Sequence, residues 1–146
     1  MAHTSTHNYL HIVFGTKERN NLISQELQPK LWAYIVGICQ NHEIVPFIIG
    51  GMPDHIHALV RVPPILPLAK AVSVIKANSS RWMGENGTRF GWQEGYGAFS
   101  VSSSNLRVVE EYIRNQEMHH RKMSFVDEYQ ILVERHEKSV PPLRGL

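Results

Sequence analysis

Gly50-Gly51-Met52-Pro53-Asp54-His55-Ile56-His57 is the stretch that decides the fold. A turn rich in glycine and proline separates the apolar run 44–49 from the run 55–62, which is the chemistry of a β-hairpin. Successive side chains of a strand point to opposite faces. His55 and His57 therefore project together, while Ile56, Ala58, Val60 and Val62 project the other way. Two imidazoles on one face of one strand can hold a metal ion, so the hairpin sets both the topology and the first candidate site.

Working outward, residues 9–14 are β-rich and end at Gly15, which predicts a first strand. Leu27, Leu31, Tyr34, Ile35 and Ile38 recur at three- and four-residue steps, so 24–40 is a helix capped by Ser24. Beyond the hairpin, Pro63, Pro64 and Pro67 stop the strand and start a second helix over 67–83. Its stripe of Leu68, Val72, Ile75, Ser79 and Trp82 packs inward, with Lys70 and Lys76 on the outer face. Residues 84–87 end that helix, 90–102 read as a glycine-punctuated strand, and 102–105 cap a helix over 106–119.

The order β-α-β-β-α-β predicts an α+β fold of the ferredoxin-like, split βαβ (RRM-like) kind, an antiparallel sheet with two helices on one face. Ile56, Ala58, Val60 and Val62 face those helices, so the two histidines lie on the opposite face. The last helix is free to cover them. In that helix Leu106, Val109 and Ile113 form the apolar stripe, and Tyr112 and Gln116 sit one turn apart on a ridge to its side. A tyrosine and a glutamine on a polar face are poor packing material and suit chemistry if that face meets His55 and His57.

At this point the sequence resembles the HUH single-tyrosine transposases of the smallest bacterial and archaeal insertion sequences and their REP-associated relatives. The likeness is carried by residues 50–57, by Tyr112-Ile113-Arg114-Asn115-Gln116, and by Trp92-Gln93-Glu94-Gly95-Tyr96-Gly97-Ala98-Phe99-Ser100. It implies an enzyme that cuts and rejoins single-stranded DNA at hairpin-bearing ends. By position, it implies His55, His57 and Gln116 as ligands of a divalent ion, Mg²⁺ or Mn²⁺, and Tyr112 as the nucleophile. Attack by Tyr112 would leave a 5′-phosphotyrosine and a free 3′-hydroxyl, a link that conserves the phosphodiester for strand transfer. It also implies a homodimer, and the glycines and serines of 91–105 suit a tether for the tyrosine helix.

Composition agrees with such an enzyme without demanding it. A chain of 146 residues with 42% hydrophobic and 19% charged residues matches one soluble domain over 1–146 and excludes a disordered one. The apolar runs are too short for a membrane span, and residues 1–9 lack a signal peptide's apolar stretch. Cys39 is the single cysteine, which excludes a disulfide framework and fits a cytoplasmic protein. A net charge of +2 permits an anionic partner.

Plainer readings cover the remaining candidates. Lys70, Lys76 and Arg81 are candidate DNA contacts, although a solvated helix face explains them as well. Trp92 and Tyr96 are read as core or interface residues before base-stacking platforms, and Asp54 as a turn residue before a partner of a ligating histidine. His119 and His120 are read as the solvated end of a helix and left out of the site. Residues 129–146 are read as a peripheral tail. Two rival functions are a domesticated hairpin-binding regulator of the same fold and a small-molecule metalloenzyme. The latter needs a further acidic or histidine ligand on a neighbouring strand, and the sequence offers no evident candidate.

Overall fold

A computed structural model describes residues 3–138. Its elements are β1 (Tyr9–Gly15), α1 (Gln28–Asn41), β2 (Val45–Met52), β3 (His55–Arg61), α2 (Leu68–Glu85), β4 (Gly97–Ser100), α3 (Leu106–Arg114), α4 (Gln116–His120) and α5 (Phe125–Lys138). The sheet order is β2-β3-β1-β4, with every pairing antiparallel, so the ferredoxin-like arrangement holds.

One face of the sheet carries Leu10, Ile12, Phe14, Ile49, Ile56, Ala58 and Val60, all buried against Leu31, Ile35, Val72 and Ile75 of α1 and α2. The alternation then sends His11, Val13, His55 and His57 to the other face. Val13, Phe99, Phe125 and Leu132 make a second, smaller apolar cluster there. Ile113 of α3 lies directly on Gly50, where an added Cβ would stand 3.0 Å from the isoleucine Cγ2. A side chain at Gly51 is excluded outright, because its Cβ would fall 2.2 Å from the His55 carbonyl oxygen.

Four boundaries differ from the sequence reading, each for a local reason. β2 continues through the two glycines to Met52, which pairs with His55, so the turn is only Pro53-Asp54. α1 begins at Gln28, because Ser24 caps a single preceding turn and Pro29, lacking an N–H, fits only the first turn of a helix. β4 is four residues long, since the chain before it leaves the ladder after one bridge from Trp92 to Thr16. Trp92 instead turns its ring into the core beside Phe14 and donates its indole N–H to Ser79 Oγ at 3.0 Å. The helix over 106–119 breaks at Asn115 (φ −97, ψ 25), which separates α3 from α4.

The segment expected to be a peripheral tail departs most. Its first ten residues belong to α5, where Leu132 is buried and Tyr129 packs against Phe99. The rest of that expected tail, 139–146, lies outside the described residues.

Candidate metal and tyrosine site

β3 delivers His55 and His57 fully buried on the second face, and the rings are fixed from behind. His55 donates Nδ1–H to Asp54 Oδ1 at 2.7 Å, and its face stacks on Phe125 with ring centroids 4.1 Å apart. Asp54 thus orients a histidine as well as closing the turn, which corrects the plainer reading. His57 Nδ1 shares a 2.7 Å hydrogen bond with His11 Nε2 on β1. Both Nε2 atoms are thereby left facing the helices above.

What they face is a carboxylate that sequence reasoning missed. Glu128 of α5 is 2% exposed and puts Oε1 3.0 Å from His57 Nε2 and 3.4 Å from His55 Nε2. Its Oε2 accepts the Tyr112 hydroxyl and, at 3.1 Å, the side-chain amide N–H of Gln116. Gln116 is buried, with Oε1 3.1 Å from His55 Nε2. The four residues singled out by sequence therefore meet, through a fifth. A signal for Glu128 did exist: it shares a stripe with Phe125 and Leu132 at helical spacing, and a carboxylate in an apolar stripe calls for a buried partner.

His120 also departs from its solvated reading. Its side chain is 8% exposed, its Nδ1–H donates to the Met123 carbonyl at 2.7 Å, and its Nε2 lies 3.1 Å from Glu128 Oε1. His119 instead lays its ring against Tyr112 at 4.6 Å.

The electrostatics follow from burial and from these partners. Burial works against a charged His55, but the hydrogen bonds it donates to Asp54, Glu128 and Gln116 outweigh it and raise its pKa to about 9. Burial pushes His57 down and takes His11 to about 3, which favours the neutral form of both rings. Glu128 would be raised by burial, yet His120, His55 and His57 hold it well below the ordinary carboxylate range. Burial and the neighbouring Glu128 together lift the Tyr112 hydroxyl above its usual value.

The donor set suits a divalent ion. One ligand atom each from His55, His57 and Glu128 lies within 4.8 Å of the others, and the amide oxygen of Gln116 borders the same space. Neutral imidazole and carboxylate oxygen are ordinary ligands of such ions. Two clefts of about 430 Å³ open on either side of α3. Tyr112, Glu128, Asn105 and Arg135 line one, and Gln116, Gly51, Trp32 and Arg114 line the other.

The candidate DNA contacts lie elsewhere. Lys70, Lys76 and Arg81 are all on α2, across the sheet from the histidines. The Lys76 ammonium is engaged by the carbonyls of Gln93 and Gly95, at 2.9 and 2.7 Å, and Arg81 donates to Asn78. No helix among the described residues is long and apolar enough to cross a membrane.

Comparison with known proteins places the fold in a family. Two curated transposases for insertion sequence element IS200, from Salmonella typhimurium and Salmonella typhi, are each 25% identical over 127 residues. The match covers 80% of this chain and 81% of theirs. Among solved structures, a candidate transposase of Deinococcus radiodurans R1 superposes with a TM-score of 0.63 at 21% identity, over 80% of this chain and 95% of that one. A REP-associated tyrosine transposase bound to a REP hairpin superposes at 0.60 with 14% identity, over 82% and 74%. The family model described as "Transposase IS200 like" matches residues 4–116, from before β1 to Gln116. The chain belongs to the IS200-like transposase family, whose members are enzymes that process DNA.

Proposed function

We propose that this protein cleaves and rejoins single-stranded DNA through a covalent bond to Tyr112, at a divalent-ion site held by His55, His57 and Gln116 with Glu128 beside them. The observation that carries this reading is the Glu128 carboxylate, which touches the Tyr112 hydroxyl with one oxygen and the His57 Nε2 with the other. Nucleophile and ion site are thus one side chain apart, within one chain.

A divalent ion such as Mg²⁺ or Mn²⁺ at this site supplies Lewis-acid polarisation of the scissile phosphate and stabilisation of the leaving oxygen. The chain's own residues do the rest. Asp54 and His11 lock the two imidazole rings, so the Nε2 atoms stay aimed without cost at the moment of reaction. Glu128 orients the Tyr112 hydroxyl. Tyrosine oxygen displaces the 3′-oxygen at phosphorus, which leaves a 5′-phosphotyrosine and a 3′-hydroxyl, and attack by another 3′-hydroxyl reverses the step.

A strand with hairpin-bearing ends is the partner this reading takes, supported by the fold neighbour that binds a REP hairpin. The two clefts flanking α3 give an unpaired strand room on both sides of the tyrosine helix. Two ends need two cuts and each chain has one such tyrosine, so the working form is a homodimer, acting in the cytoplasm. Residues 1–146 are read as one domain, and each chain of the dimer brings one such site.

A labelled hairpin oligonucleotide with single-stranded flanks, incubated with the protein and Mn²⁺, gives a covalent adduct under this reading. Tyr112→Phe abolishes it, and His57→Ala abolishes cleavage while sparing DNA binding. Full cleavage in chelator would contradict the reading.

A further inference from the structure

We propose that His120 and Glu128 are ligands of the same ion, so that this chain's metal centre holds three imidazoles and a carboxylate and prefers Mn²⁺, Co²⁺ or Zn²⁺ to Mg²⁺. The inference deepens the metal-dependent reading above and rests on it.

The local fold puts His120 there. The helix break at Asn115 separates α4 from α3, and the chain turns again after His120 to begin α5 at Phe125. The ring is fixed at both ends. Its Nδ1–H is committed to the Met123 carbonyl, and it packs on the His55 ring at a centroid distance of 4.6 Å.

A histidine whose Nδ1 carries the hydrogen presents a lone pair at Nε2. His120 Nε2 points at Gln116 Oε1, 3.0 Å away, and at Glu128 Oε1, 3.1 Å away. Both partners are acceptors. The Gln116 amide cannot be turned to relieve this, because its nitrogen is spoken for by Glu128 Oε2 and the Tyr112 carbonyl. His55 offers its Nε2 to the same two oxygens, with Nδ1–H committed to Asp54, and an ion that displaces its Nε2 proton finds a lone pair there. Donor atoms from two helices and a strand converge on one small space, and a cation at its centre meets all of them at once, in place of the proton that His55 holds there in the metal-free protein.

The spacing fits as well. Ligand atoms at ~2.1 Å from one ion stand about 3.0 to 3.4 Å apart at tetrahedral or octahedral angles. The contacts that Glu128 Oε1 and Gln116 Oε1 make with the Nε2 atoms of His55, His57 and His120 run from 3.0 to 3.4 Å. Mg²⁺ keeps its waters and favours oxygen, whereas imidazole-rich sites favour first-row transition ions and Zn²⁺.

Co²⁺ provides the test. Each histidine that ligates through Nε2 carries an Nδ1 proton that a bound Co²⁺ shifts strongly in the proton NMR spectrum. The full chain loaded with Co²⁺ is expected to show three such exchangeable signals, and His120→Ala two, with Co²⁺ affinity at least ~10-fold weaker. His120→Phe keeps the ring packing against His55 and should behave like the alanine variant, which separates ligand loss from loosening of α4. Millimolar Mg²⁺ should not displace Co²⁺. Two signals in the wild type, both retained in His120→Ala, would overturn the role of His120 and leave the metal site standing. Unchanged Co²⁺ affinity in both His120 variants would overturn it too, and no Co²⁺ binding by any form would remove the metal reading itself.

Discussion

The two faces of this sheet come from the same strands and do opposite work. On the α1–α2 face, Leu10, Ile12, Phe14, Ile56, Ala58 and Val60 are buried in one apolar cluster with side chains of α1 and α2. On the α3–α5 face, one residue along each strand, His11, His55 and His57 meet Tyr112, Gln116, His120 and Glu128. The first face gains stability by removing hydrocarbon from water. The second buries polar groups, which stabilise only when every one finds a partner. No buried side-chain nitrogen or oxygen lacks a partner among the described residues, so the network is complete. The lesson is that a period of two lets one strand carry core and chemistry side by side.

The sharpest way to break the contrast is to damage each face separately. Phe14→Ala removes a fully buried ring from the apolar face and should cost about 3–5 kcal/mol of unfolding free energy, read by denaturant titration. Adduct formation per folded molecule should stay near wild type. Glu128→Gln on the other face keeps shape and removes charge. Metal affinity, measured by calorimetry, should fall roughly 10- to 100-fold, and the helices should remain folded by circular dichroism.

Protonation sharpens the contrast further, because the buried histidines lie on the α3–α5 face. His55 is raised from an ordinary 6.5 to about 9, so its charged form contributes stability in full below about pH 6.5 and loses it as pH climbs through 9. His57, pushed down by burial, titrates below that window. The metal-free protein should therefore melt at steadily lower temperature between pH 6.5 and 9. Saturating Mn²⁺, which takes the place of the His55 proton, should flatten that slope, and metal affinity should rise across the same range. The smallest effect is expected at the seam with α3. Gly50→Ala presses a methyl against Ile113 and should cost about 1 kcal/mol of stability, with a larger loss of adduct rate because Tyr112 rides on the same helix.

The parts of this architecture that obey a short period were legible in the sequence. Strand alternation placed His55 and His57 on the face away from α1 and α2, and helical spacing put Tyr112 and Gln116 on one ridge. The missing parts depend on contacts that no local period encodes. Glu128 reaches His57 across 71 positions, and His120 is aimed by a break at Asn115 that carries neither proline nor glycine. Lys76 misled for a related reason. Its charge reads as a solvated face until the fold brings the Gln93 and Gly95 carbonyls onto it.

The central claim, that the second face of the sheet unites an ion site with a nucleophile, is tested most directly by mapping the covalent adduct. Protein reacted with a hairpin oligonucleotide and Mn²⁺ is digested with nuclease and trypsin, and the modified peptide is sequenced by mass spectrometry. The account predicts a single phosphorylated side chain, Tyr112, absent from the His57→Ala protein and from reactions run in chelator. A phosphate on any other residue, or one that forms on Tyr112 without metal, would contradict it.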